Sequence, residues 1–295
     1  MNIAIVGATG VLGKALVPLL INNGHNVIAL VRSPEKVTTN LPAETKVKKY
    51  DLLVESDNNI LYEALSGSDA LIHIATAIPA DPAMPGAWNA NTLIRTTGTK
   101  KLLDAALKTG IKKYIQQSII MAYPCKGDEW ITEDLPLDSS GAREHVCTPV
   151  IEMEQMVRSI SPQKLEWNIL RGGIFVGNGT FQKRTLENIR NGTEIIPGNG
   201  NNYISLIHVK DMATAFLKVV NSGIGGNILN IVDEPINQKD YIERLAVMLG
   251  EGGYIFNPHL TTPPSHRCSN RLAKHLLNWS PSEDIYSLGK ILLTN

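Results

Sequence analysis

Asn2-Ile-Ala-Ile-Val6-Gly7-Ala-Thr-Gly10-Val-Leu-Gly13-Lys-Ala-Leu16-Val-Pro-Leu-Leu20 lies at the start of this 295-residue chain. Five residues of β-forming character lead into a glycine triplet, and behind it Val11, Leu12, Leu16, Leu19 and Leu20 recur at helical spacing. The reading is strand, glycine turn, helix. In such a unit the first glycine makes the tight turn, the second lets backbone approach a phosphate, and the third lets helix pack close on strand. The helix start then offers free N–H groups and a positive dipole end to an anion. Thr9, Val11 and Leu12 belong to the same phosphate-facing loop.

Working outward, strands are expected at Asn26–Val31, Lys46–Tyr50, Ala70–Ile74, Lys113–Gln117 and Trp167–Leu170, with helical stretches between most of them. Alternating strands and helices imply right-handed crossovers and a mostly parallel sheet covered on both faces, the Rossmann-type doubly wound α/β class. The longest helix is expected from about Trp88 through Thr109, burying Leu93, Leu102, Leu103, Ala106 and Leu107 and stopped by Gly110. Another is expected to begin at Thr148-Pro149, Thr being a good N-cap and Pro a favoured first residue. Beyond Gly172 come a helix near Phe181–Arg190, a turn over Pro197–Asn202, a strand at Tyr203–Ile207, a helix at Val209–Val220, a strand at Asn227–Val232 and a helix at Gln238–Leu249. The domain reading is a dinucleotide-binding core over 1–172 and a smaller C-terminal substrate lobe over 173–295, interleaved with the last core elements at about 203–232.

Composition narrows the function classes. Apolar residues make up 43% and charged ones 19%, and 28 basic residues balance 28 acidic ones, so no bulk field attracts nucleic acid or an anionic membrane. Cys125, Cys147 and Cys268 are odd in number and widely spaced, which indicates neither a disulfide framework nor a zinc site and fits a reducing cytoplasm. No metal is expected. The apolar N-terminus lacks the basic region of a signal peptide, and no run is long enough to span a bilayer. The expected partner is a small-molecule substrate, and the expected state a monomer or homodimer.

At the end of the second strand an NAD-type site would carry an acid for the ribose 2′-hydroxyl, whereas this chain has Arg32, with Lys36 close by. An arginine there favours a 2′-phosphate, so NADP(H) is preferred over NAD(H) as cofactor.

With these residues in place the chain resembles the extended and atypical short-chain dehydrogenase/reductase superfamily, the epimerase/dehydratase group, over nearly its whole length. Asp51-Leu52 matches the adenine-contacting pair, and Asp69 through Ala75-Thr76 resembles the fourth strand running beside the cofactor. Asn91 followed by Gly98-Thr99 is similar to the fourth helix. Leu170-Arg171-Gly172-Gly173 and His208-Val209-Lys210-Asp211 match later motifs, as do Leu277-Asn278-Trp279 and Pro281.

The resemblance implies catalysis by a Tyr-x-x-x-Lys pair on the fifth helix, the Lys lowering the Tyr pKa. Aligned backward from Glu154, Val146 and Val150 stand at those two positions, and Ile119 stands where the partner Ser or Thr is expected, with Ser118 beside it. Three readings remain. The first is an NADP(H)-dependent reductase of a small carbonyl or enone, with His145, Tyr123, Ser118 and Cys147 as candidate groups near the chemistry and Ile119, Val146, Val150 and Phe175 as an apolar pocket. The second is a cofactor-binding regulator or scaffold without turnover, and the third a non-redox isomerase or lyase. A nucleotide sugar is less favoured because Ile204 occupies the place of the diphosphate-binding arginine, although Arg184 and Arg190 could supply a cation from the neighbouring helix.

Overall fold

A computed structural model describes residues 1–37, 41–54, 57–79, 81, 84–250 and 252–293. Seven core strands form one parallel sheet: β1 (Asn2–Val6), β2 (Asn26–Val31), β3 (Lys46–Lys49), β4 (Ala70–His73), β5 (Lys113–Ile119), β6 (Glu166–Gly172) and β7 (Asn227–Ile231). Their spatial order is β7-β6-β5-β4-β1-β2-β3, and the order reverses at β1. A ligand crevice opens beyond the carboxyl ends of the strands at such a reversal. Register places Val6 of β1 between Leu30 and His73, so the glycine loop leaves the sheet at that point.

The crossovers are helices α1 (Val11–Asn22), α2 (Asn58–Leu65), α3 (Asn89–Leu93), α4 (Thr99–Thr109) and α5 (Glu144–Arg158). Leu61, Leu65, Leu102, Ala105 and Ala106 pack on Ala4, Leu71, Tyr114 and Ile169 of the sheet in one buried cluster. At its C-terminal end α4 stops at Gly110, which takes the left-handed conformation at φ 75°.

The expected helix over 88–109 is not uniform. A π turn at Ile94–Gly98 joins α3 to α4, and the extra residue it inserts turns the buried face, leaving Leu93 47% exposed. Leu107, expected inside, is 43% exposed, because it lies one step round from the Leu102, Leu103, Ala106 stripe. The fifth helix also differs: it begins at Glu144, not at Thr148-Pro149. Arg143 fixes the start by donating to Met121 O and pairing with Asp138 at 2.9 Å, and Pro149 is carried inside the helix at the cost of one backbone bond.

The chain divides into two compact units, the first made of Met1–Ala122, Leu137–Arg171 and Ala213–Leu229, the second of Tyr123–Pro136, Gly172–Met212 and Asn230–Asn295. α6 (Gln182–Arg190) and α8 (Gln238–Leu249) of the second unit appear where the periodicity puts them, as does α7 (Val209–Asn221), whose residues from Ala213 on belong to the first. Strand Tyr203–Ile207, expected to be continuous, is two: Tyr203–Ile204 pairs antiparallel with Ile236–Asn237, and Leu206–His208 pairs parallel with Ile174–Val176. Ser205 makes the break, its hydroxyl donating to His266 O and accepting from Cys268 N. Gln182 ties this unit together, accepting from Gly177 N and donating to Tyr241 Oη and Ile285 O. Among the described residues no helix is long and apolar enough to cross a membrane.

Candidate active site

The three glycines do three different things. Gly7 has φ +99°, and a Cβ on it would sit 2.6 Å from Ala75 N, so the loop can lie against the end of β4 only without a side chain. A Cβ on Gly13 would come 2.2 Å from Ala8 O, where α1 presses on the loop. Gly10 is different: its Cβ would meet one atom, Gly7 O, in a tight contact at 3.3 Å, and no other heavy atom within 4 Å, so the space beyond that oxygen is open. Gly10 is also the N-cap of α1, with no side-chain cap and no acidic residue in the first turn. The first-turn N–H groups, Val11 and Leu12 among them, therefore face that space unclaimed by any side chain. A phosphate fits there, and a nicotinamide dinucleotide suits this cradle, held by the loop from Gly7 to Gly13.

The neighbouring positions surround it. Ala75 and Thr76 follow β4 after Ile74, and Asn91, buried on α3, accepts from Ala77 N at 3.2 Å and so holds that segment. Asp51 shapes its own turn, accepting from Leu53 N at 2.9 Å, while Leu52 fills the space that a side chain on Gly98 would need. Arg32 is exposed just past β2, and among the described residues it makes no hydrogen bond or ion pair. Lys36 ends a short 3-10 turn, Pro34–Lys36; its side chain lies outside the described residues.

On the other side of β4, α5 presents aliphatic groups. Val150, Cys147, Met153 and Ala122 form a buried cluster, with Ile119 and Val146 packed against it. Three of the four expected pocket residues are thus together; the fourth, Phe175, belongs to the second unit, its ring beside Gly172. Burial pushes the Cys147 thiol up from its ordinary value. His145 is exposed at the start of α5, its ring 5.9 Å from that of Trp88. Tyr123 is buried in the second unit and donates to Asn230 Oδ1 at 3.0 Å. Ser118 is buried and donates to Glu154 at 2.6 Å. The chain does contain one Tyr-x-x-x-Lys spacing, Tyr286 to Lys290, but it falls at the C-terminal helix Ser287–Leu293, where Lys290 pairs with Asp284 and the Tyr286 ring stacks on Tyr241.

Two buried polar groups near this site carry no motif. Glu154 receives Arg171 through two bonds, at 2.9 and 2.6 Å, and Ser118 as a third donor. His73, at the end of β4, shares its Nδ1 with Gln116 at 3.0 Å beside Thr99 and Tyr114. Burial, with the charge of Arg95 adding to it, lowers the His73 pKa to about 4 against the upward pull of the Gln116 bond, so the ring is neutral at pH 7. Arg95 was equally silent by motif. Its signal was positional: Arg95, Thr99, Leu102 and Ala106 follow helical spacing, which puts a charge on a buried stripe.

A family model described as NAD dependent epimerase/dehydratase matches residues 3–231. A Streptomyces protein named 3-diazoavenalumate denitrifying reductase is 29% identical over 287 residues, 95% of this chain and 88% of that one. Solved structures agree in fold. The dTDP-glucose 4,6-dehydratase DesIV of Streptomyces venezuelae, with NAD bound, superposes with a TM-score of 0.83 at 17% identity, over 100% of this chain and 98% of that one. The UDP-glucuronic acid 4-epimerase of Bacillus cereus, also with NAD, gives 0.81 at 18%, over 99% and 100%.

Proposed function

Since the chain belongs to the NAD dependent epimerase/dehydratase family, we propose that it is an NADP(H)-dependent reductase that transfers hydride to a small organic carbonyl or enone without the usual Tyr/Lys pair. The observation that carries the reading is the open phosphate cradle at Gly10 together with Arg32, exposed and without a partner among the described residues, at the end of β2. An arginine in that place recognises a 2′-phosphate by charge-assisted hydrogen bonds. Bound there, the reduced nicotinamide supplies the hydride.

The chain's own residues then have limited tasks. Ile119 and Val146, partly buried, wall one side of the reaction space with hydrocarbon, backed by the fully buried Val150 and Met153. No acid stands at the two positions on α5 that would supply one, so the proton that completes reduction of a carbonyl comes from solvent. The name of the Streptomyces relative, a denitrifying reductase, supports reduction over epimerisation. Ile204 in the place of a diphosphate-binding arginine speaks against a nucleotide sugar.

Val146 and Val150 also favour a second reading, a cofactor-binding regulator without turnover. NADPH consumption across a panel of aldehydes, ketones and enones separates the two. Consumption with any member supports the reductase; tight binding with no consumption across the panel supports the regulator.

A further inference from the structure

Arg95 stands on the π turn between α3 and α4, only 6% exposed. Its Nε has no hydrogen-bond partner, and Nη1 reaches only the thioether of Met153, at 3.7 Å. Among the described residues no carboxylate forms an ion pair with it. Glu154, the acid whose charge it feels, is already held by Arg171 and Ser118. Two guanidinium groups share one carboxylate, and a net positive charge is left in the interior. Burial accordingly draws the Arg95 pKa down to about 10, Glu154 opposing the shift.

A buried charge with no counter-ion is costly, and a methionine or leucine would fill the space without that cost. The π turn itself is of a kind frequent at functional positions. Location adds the third observation. Met153, which Arg95 touches, is a member of the cluster with Val150, Cys147 and Ala122, against which Ile119 and Val146 pack. The unpaired cation is therefore one side chain away from the wall of the proposed reaction space.

We propose that Arg95 is the anion-holding residue of this site and receives a carboxylate carried by the substrate, so that the molecules reduced are small organic acids. The proposal rests on the reductase reading above and narrows its substrate class. A guanidinium offers parallel donors that match a carboxylate's two oxygens. Met153, unbranched and adaptable, is the side chain that yields as the carboxylate approaches. The incoming anion supplies the charge that Glu154, committed to Arg171, does not.

Benzoate and its neutral isostere benzamide are the probes, with thermal denaturation of the full chain as the readout. Benzoate is expected to raise the Tm of the wild type by about 2 °C or more, and benzamide to leave it unchanged. Arg95→Met is expected to melt higher than the wild type and to lose the benzoate response; Arg95→Lys is expected to keep a weakened one. An NADPH fluorescence titration on the same proteins should be unaffected by Arg95→Met, so loss of the cofactor reading would show up separately. Equal responses to both probes, no response to benzoate, or an Arg95→Met protein that melts lower or does not fold would each overturn the proposal.

Discussion

At the level of single residues, the glycine loop was the most legible part of the sequence, because each glycine is required by geometry at one place. The structure separates their roles: Gly7 and Gly13 are forced by backbone at 2.6 and 2.2 Å, while Gly10 leaves space. Gly10→Val should therefore fold like the wild type and fail to bind either nicotinamide cofactor, since Gly10 has an ordinary φ of −73°. Gly13→Ala should lower the denaturation midpoint instead. Equal folding and equal binding in both variants would contradict the assignment of roles. His73 shows the opposite case, a group that no motif marks. Its folded-state pKa of about 4 lies below the ordinary 6.5, so the unfolded chain binds the extra proton between those values. Its contribution is complete above about pH 6.5 and falls as the pH drops toward 4. We expect about 2 kcal/mol of stability to be lost on this account between pH 7 and pH 5. Denaturant titrations at the two pH values check it: His73→Gln should remove that part of the pH dependence, and an unchanged dependence would show that other groups carry it.

At the level of elements, strands and amphipathic helices followed from periodicity, whereas helix starts and interruptions did not. Thr148-Pro149 has the local chemistry of a helix start, yet α5 begins at Glu144 because Arg143 is held by Met121 O and Asp138, partners supplied by tertiary structure. The Asp138 carboxyl is held near pKa 2 by the Ser140 side chain and backbone N–H and by Arg143, so this clamp persists through moderately acid conditions. The π turn at Ile94–Gly98 was likewise hidden, since one inserted residue leaves composition untouched. With Val146 and Val150 on a continuous helix, α5 supplies an aliphatic face. Val150 is fully buried, and a lysine there, the residue expected by resemblance, would carry its charge into the apolar cluster of Cys147, Met153 and Ala122. Val150→Lys should destabilise by more than about 2 kcal/mol in urea denaturation. A neutral effect would mean that the position opens to the cofactor side.

At the level of the whole molecule, the order β7-β6-β5-β4-β1-β2-β3 puts the glycine loop at the reversal of the sheet, where the strand alternation in the sequence predicts a ligand. The composition of the two units was less accessible. Trp130–Ile131 pairs with Arg267–Cys268, and Arg267 lies 4.4 Å from the Trp130 ring and 4.7 Å from that of Tyr203. Contacts so distant in the chain leave no periodic trace. The central claim is that this molecule binds NADP(H) through the cradle at Gly10 and the cation at Arg32, and a fluorescence titration of wild type and Arg32→Ala with NADPH and with NADH tests it most directly. The account predicts micromolar NADPH binding that Arg32→Ala weakens by about 1.5 to 3 kcal/mol, with NADH binding barely changed by the substitution. Equal losses for both cofactors, or no binding of NADPH by the wild type, would contradict it.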